Sequence, residues 1–190
     1  MFKRVCLCFI LFTLILTFSY SESIMPVANI KKGMRAIGYT VLEGARIDSF
    51  DVEILKVIKG ENGIKNFILG KVYGNTIKQS GGISEGMSGS PIYIGGRIIG
   101  ALSYSLDTEN KNIAVITPIQ EMIDAGEEGL DIYRMNHNLR PGSAVSITPV
   151  RGDVVIDNIG TLTYLRGSKF YALGHQMDGK GNMKYFLNEA

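Results

Sequence analysis

The chain has 190 residues, of which 45% are hydrophobic and 20% charged. This composition is that of a folded globular protein and excludes wholesale disorder. The 20 Lys and Arg residues against 18 Asp and Glu leave a net charge of +2, which excludes the broad basic surface of a nucleic-acid-binding protein. The 23 glycines follow no collagen period and predict many tight turns between short strands.

Residues 1–23 have the features of a secretory signal peptide. Lys3 and Arg4 precede an apolar run at residues 5–18, and small polar residues follow it, which is the order of a signal sequence. The run is short for a bilayer span, which needs roughly 20 apolar residues. We therefore predict an exported, extracytoplasmic protein (periplasmic, cell-envelope or secreted), anchored in a membrane only if this segment stays uncleaved.

Both cysteines, Cys6 and Cys8, lie within this segment. A mature chain without cysteine excludes a disulfide framework, a thiolate nucleophile and a Cys-ligated zinc site. His137 and His175 are then the only imidazoles, too few for most transition-metal sites. No phosphate-binding or dinucleotide-binding glycine motif is present, so we predict no metal and no cofactor.

Short β-strands separated by glycine-marked turns are predicted for most of the mature chain. In chain order the first group is predicted at residues 51–59, 66–73, 91–94, 97–104 and 113–118. Gly95-Gly96 joins two of these apolar runs and favours a hairpin. Pro118 and Gly126 bound one short helix near residues 118–125. Further strands are predicted at residues 143–150, 153–165 and 169–173.

This spacing of strands and turns indicates barrels or a sandwich. We expect residues 24–126 to form one β module, residues 127–142 a polar connector and residues 143–190 a second β module. The second module has fewer than about fifty residues, whereas a five- or six-stranded barrel generally needs more. We therefore expect an incomplete second barrel, either truncated or completed by another polypeptide.

The segment that carries chemistry is Gly-Met-Ser-Gly-Ser-Pro at residues 86–91. A serine flanked by glycines can lie on a sharp turn with its Oγ open to a substrate, as Ser88 would. Glycine also permits backbone conformations in which successive N–H groups form an oxyanion hole, here those of Gly86 and Ser88. Taken alone, such a segment is more often a simple turn between strands.

Residues 80–92 resemble the SpoIVB-type serine peptidase family, and their core resembles the nucleophile loop of chymotrypsin-like serine peptidases. Residues 25–38 with 50–55, and residues 159–164 with 171–175, resemble two further segments of that family. The resemblance implies a chymotrypsin-like double β-barrel and a protein or peptide substrate. It also implies an acyl-enzyme at Ser88 with His175 as general base. An imidazole suits this role because it exchanges protons near neutral pH, whereas we expect His137 to be a solvated surface residue.

Two features depart from the family pattern. Ser88 precedes His175, as in a permuted branch of the family, and triads are defined by geometry rather than by chain order. Tyr73 stands where the pattern has an aspartate. Asp51, Asp107 and Asp157 remain alternatives for orienting His175, and no spacing selects among them. The sequence therefore predicts a Ser–His pair rather than a complete triad.

Three functions follow from these observations. The first is an exported serine endopeptidase, with self-cleavage as one form of its activity. The second, favoured by the departure at Tyr73, is a catalytically impaired peptidase-fold module that binds or scaffolds partners in the cell envelope. The third is a purely structural exported β domain. Loss of active-site labelling on changing Ser88 or His175 distinguishes the first from the others.

Overall fold

A computed structural model describes residues 23–60, 65–106, 109, 111–125, 139–150, 156–167, 169–177 and 186–190. The predicted signal segment up to residue 22 lies outside the described residues, as do Asp107, His137 and most of the predicted connector. Across the described ranges, no helix combines the length and the apolar character that a bilayer crossing requires.

Six antiparallel strands form a closed barrel. They are β1 (Arg35–Val41), β2 (Ile47–Ile58), β3 (Phe67–Tyr73), β4 (Pro91–Ile94), β5 (Arg97–Ser105) and β6 (Ile113–Pro118). Around the barrel their order is β1-β2-β3-β6-β5-β4. Closure leaves this sheet without a free edge strand, so the unit is protected against pairing with other chains.

The barrel core follows from the period-2 pattern of its strands. On β2, the buried residues Phe50, Val52 and Ile54 alternate with Asp51 and Glu53 at the surface, as side chains on a pleated strand must. Each large apolar side chain buried in this way contributes roughly 1.5–3 kcal/mol to folding. The barrel therefore has an apolar core of its own.

The second unit is an antiparallel sheet of four strands. They are β7 (Ala144–Val150), β8 (Ile156–Arg166), β9 (Lys169–Ala172) and β10 (Phe186–Glu189), in the order β10-β7-β8-β9. This sheet does not close. The predicted fold class is thereby confirmed: the chain is mostly β, with one closed barrel consistent with a chymotrypsin-like architecture and a second, open β unit.

The open sheet is packed against the barrel. Tyr164 and Tyr171 from β8 and β9 form a cluster with Ile98 of β5 and with Ile119 and Ile123. Ile119 and Ile123 are the buried residues of the helix Ile119–Ala125, α2. This helix confirms the one predicted from the sequence, and it places apolar surface between the two units.

Four elements lie outside the sequence predictions, the first being a single 3-10 turn at Val27–Asn29. The short helix α1 (Asn75–Ser80) ends at Gly81 in a left-handed conformation, and the Thr76 hydroxyl fixes it to the barrel by donating to Ser49 O at 2.6 Å. Strand β1 buries the small or polar residues Ala36, Gly38 and Thr40, so it has no alternation of large apolar side chains. Strand β10 was likewise missed.

Candidate active site

Ser88 lies on a tight loop between α1 and β4, residues 84–90, which we call the serine loop. Gly86 and Gly89 have φ values of +88° and +94°, a region that favours glycine. Met87 between them is buried in the barrel core. Ser90 closes the turn because its N–H and its hydroxyl both donate to Met87 O, at 3.0 and 2.7 Å. The loop therefore has one defined conformation and leaves Ser88 only partly buried.

The serine loop packs directly on the backbone of the open sheet. A Cβ atom at Gly89 would overlap Thr161 O of β8 and come within 2.5 Å of Leu173 N. A Cβ atom at Gly160 would overlap the Leu173 side chain and lie 3.1 Å from Ser88 O. Glycine at both positions lets the two backbones approach this closely.

Three carbonyl groups of the serine loop accept hydrogen bonds from β8. The Thr161 hydroxyl donates to Gly86 O at 2.8 Å, and the Thr161 N–H donates to Ser88 O at 2.8 Å. The Thr163 hydroxyl donates to Gly89 O at 2.7 Å. By contrast, the Gly86 and Ser88 N–H groups donate to no other described residue. These two N–H groups are the ones that the sequence assigned to an oxyanion hole.

Ser103 of β5 connects Ser88 with the segment that carries His175. The Ser88 hydroxyl donates to Ser103 O at 3.2 Å. The buried Ser103 hydroxyl donates to Gly174 O at 3.0 Å and contacts the Thr117 hydroxyl at 2.6 Å. Ser88 on the barrel side and Gly174 on the sheet side are therefore both hydrogen-bonded to Ser103.

His175 lies just beyond β9, where Leu173 and Gly174 have φ values of +65° and +71° and turn the chain toward β5. Its imidazole stacks on the half-exposed Tyr104 ring, with centroids 4.9 Å apart and planes at 30°. His175 Nδ1 is 2.9 Å from Gln176 O. Because a carbonyl can only accept, Nδ1 carries the hydrogen, and in the neutral ring the lone pair is on Nε2.

The structure brings Ser88 and His175 to neighbouring residues of one strand, Ser103 and Tyr104. It does not join them directly: within the described residues, neither side chain is hydrogen-bonded to the other. Catalytic hydrogen bonds are often long or poorly aligned before substrate binds. To donate to an imidazole, the Ser88 hydroxyl would have to leave Ser103 O.

The predicted alternatives for an orienting acid are not equivalent in the structure. Asp51 is on β2, and two strands separate β2 from β5 in either direction around the barrel. It lines a separate groove of about 910 Å³ together with Tyr73. Asp157 is on β8 with its side chain outside the described part, and Asp107 also lies outside it. Among the described contacts, His175 has no carboxylate partner.

A family model described as SpoIVB peptidase S55 matches residues 15–123, more than half of the chain. The chain belongs to this peptidase family. The match covers the whole barrel and Ser88, whereas His175 lies beyond the matched residues. Searches of the curated proteins and of the solved structures found no match.

Sequence reasoning missed the residues that surround the pair. Ser103 and Tyr104 lie in a strand that was predicted for its apolar residues alone. Thr161 and Thr163 alternate with the buried residues Leu162 and Tyr164, and this pattern indicated a strand but not its partner. Their role depends on contacts between residues more than seventy positions apart.

Proposed function

We propose that this member of the peptidase family is a serine endopeptidase that forms an acyl-enzyme at Ser88, with His175 as the general base. The observation that carries the proposal is the convergence of the serine loop and His175 on Ser103 and Tyr104. The uncommitted N–H groups of Gly86 and Ser88 supply the third requirement, a site for negative charge.

In the proposed reaction the Ser88 hydroxyl turns toward His175 Nε2, which removes its proton as Oγ attacks the scissile carbonyl carbon. The carbonyl oxygen becomes an oxyanion and accepts hydrogen bonds from the Gly86 and Ser88 N–H groups. His175 then gives its proton to the departing amine, and water hydrolyses the acyl-enzyme by the same sequence. General base catalysis contributes about 10²- to 10⁴-fold, and each oxyanion donor about 10²- to 10³-fold.

Among the described residues no carboxylate contacts His175, and in the proposal the Gln176 carbonyl takes part of the role of an orienting acid. Its contact with Nδ1 holds the imidazole in the tautomer that general base catalysis needs. A neutral carbonyl stabilises the imidazolium less than a carboxylate does, since charge-assisted hydrogen bonds are roughly twice as strong. We therefore propose a slower enzyme than one with a complete triad.

The sequence supports the further proposals that residues 1–23 direct export and that the substrate is a protein or peptide. In the proposal, self-cleavage is one form of this activity, and another polypeptide completes the open β unit as a second barrel. N-terminal sequencing of the protein from an extracytoplasmic fraction tests export. A chain that begins at Met1 and is recovered in the cytoplasm would contradict it.

Reaction with a fluorophosphonate, followed by mass spectrometry of the labelled peptide, tests the catalytic assignment. We expect labelling at Ser88, none in Ser88→Ala, and labelling about 10²- to 10⁴-fold slower in His175→Gln. Ser84→Ala is the matched control, because Ser84 lies in the same loop but its hydroxyl has no described hydrogen bond. Equal labelling of all variants would refute the assignment.

A second candidate function is a non-catalytic peptide-binding module. The Ser88 hydroxyl bonded to Ser103 O, rather than to an imidazole, favours it, as does the absence of a carboxylate from the described contacts of His175. This alternative predicts no labelling of the wild-type protein. It also predicts that Ser88→Ala leaves the binding of peptides unchanged.

A further inference from the structure

We infer that Thr161 and Thr163 of β8 are positioning residues that hold the serine loop in the shape of an oxyanion hole. The inference deepens the proposed function and rests on it. The two threonines are spaced by two residues, so their side chains lie on one face of the strand. Both are buried, at 1% and 0% exposure, and each hydroxyl donates to a serine-loop carbonyl.

The four peptide groups between Gly86 and Ser90 show why these contacts matter. All four carbonyls accept hydrogen bonds: Gly86 O and Gly89 O from the two threonine hydroxyls, Ser88 O from Thr161 N–H, and Met87 O from Ser90. Three of the four N–H groups donate, from Met87 to Ser84 O, from Gly89 to Leu102 O and from Ser90 to Met87 O. The N–H of Ser88 alone is uncommitted among the described contacts.

Side-chain hydrogen bonds are needed to fix the serine loop because its glycines allow the backbone many conformations. Glycine at 86 and 89 reaches many conformations at little cost, and the C=O and N–H groups of a peptide turn together because the peptide is planar. Fixing the Gly86 carbonyl against Thr161 therefore fixes the orientation of the Gly86–Met87 peptide, which lies between the two peptides that carry the Gly86 and Ser88 N–H groups. A loop without these anchors would sample conformations in which the two N–H groups do not converge.

The anchors also couple two catalytic elements. β8 holds the serine loop, and the β8–β9 hairpin leads directly into His175. One sheet, packed on the barrel, therefore sets the position of the imidazole and of the oxyanion donors. Loss of either threonine contact removes support from the loop while the Ser88 hydroxyl and the His175 imidazole themselves stay chemically intact.

The test uses Thr161→Val and Thr163→Val, which keep the shape of the side chain and remove the donor. We expect each to lower the limiting rate of fluorophosphonate labelling on the order of 10-fold, with the half-saturating reagent concentration little changed. Thr161→Ser and Thr163→Ser keep the hydroxyl donor and lose only a methyl group. We expect both to be labelled at close to the wild-type rate, whereas a role in packing alone predicts a lower rate. Thr40→Val is the matched control, because Thr40 is a buried barrel threonine whose hydroxyl has no hydrogen-bond partner among the described residues.

Amide NMR of residues 86–90 keeps the test independent of activity. Thr161→Val should shift and broaden these amide resonances, whereas Thr40→Val should leave them unchanged.

If the wild-type protein is not labelled, the proposed function fails, and the NMR result alone decides whether the threonines anchor the loop. Should Thr161→Val not fold, Thr163→Val carries the test because it leaves both Thr161 bonds intact. Valine variants with wild-type labelling or wild-type loop resonances would overturn the inference.

Discussion

The barrel and the open sheet differ in how they are stabilised. The barrel closes on itself around a continuous apolar core. The sheet's own buried cluster contains Leu139, Val145 and Leu162, and further burial comes from packing Tyr164 and Tyr171 on the barrel side. Stability is thus concentrated in one unit, whereas the proposed chemistry is divided between both. The proposed site exists only while the open sheet is packed against the barrel.

The largest expected effect comes from Gly89→Ala, which forces the units apart. The new Cβ would overlap Thr161 O and approach Leu173 N at the positive φ of this residue. Backbone atoms cannot yield as a flexible side chain can, so we expect a loss of about 3 kcal/mol or more in the free energy of unfolding. Fluorophosphonate labelling should fall below detection, because the loop no longer fits against β8.

Gly95→Ala is the control for this change. Gly95 also has a positive φ, but a Cβ there meets nothing within 4 Å, so only about 1–2 kcal/mol of backbone strain is expected. Labelling should remain at the wild-type rate. Wild-type stability and labelling in Gly89→Ala would show that the two units are not in contact at this point.

A pair of core truncations, Ile68→Ala in the barrel and Leu162→Ala in the sheet, sharpens the comparison. Both side chains are fully buried, and each change should cost about 2–5 kcal/mol. Hydrogen exchange should show lower protection throughout the chain for Ile68→Ala. For Leu162→Ala it should show lower protection in β7 to β9 only. Equal losses in both units for both variants would mean that barrel and sheet unfold as one cooperative unit.

The smallest expected effect is a gain of stability within the barrel. The Thr40 hydroxyl is buried and has no partner in the described part of the chain, so Thr40→Val removes a desolvated polar group while keeping the shape of the side chain. We expect the free energy of unfolding to rise by about 1 kcal/mol. Urea unfolding followed by circular dichroism measures it. A destabilised variant would indicate that this hydroxyl has a partner in solution.

Much of the fold could be predicted because apolar alternation and glycine turns are local signals. Strand β2 and the hairpin at Gly95-Gly96 are examples. Strand β1 was missed because small and polar residues fill its inward positions, and α1 because six residues are too few to show a helical period.

The candidate site likewise contains residues with a local sequence signal and residues without one. Ser88 could be proposed from its glycine context, and His175 from a resemblance between segments. Ser103, Thr161 and Gln176 carried no local signal, because what they do depends on which carbonyl or donor the fold places opposite them. The orienting acid stays unassigned for the same reason.

The most direct measurement of the central claim is a crystal structure of the fluorophosphonate adduct. We expect phosphorus bonded to Ser88 Oγ and a phosphonyl oxygen within hydrogen-bond distance of the Gly86 and Ser88 N–H groups. We also expect that His175 Nε2 faces the same phosphonyl group while the Thr161 and Thr163 bonds persist. An adduct on another residue, or a His175 ring directed away from Ser88, would contradict the claim.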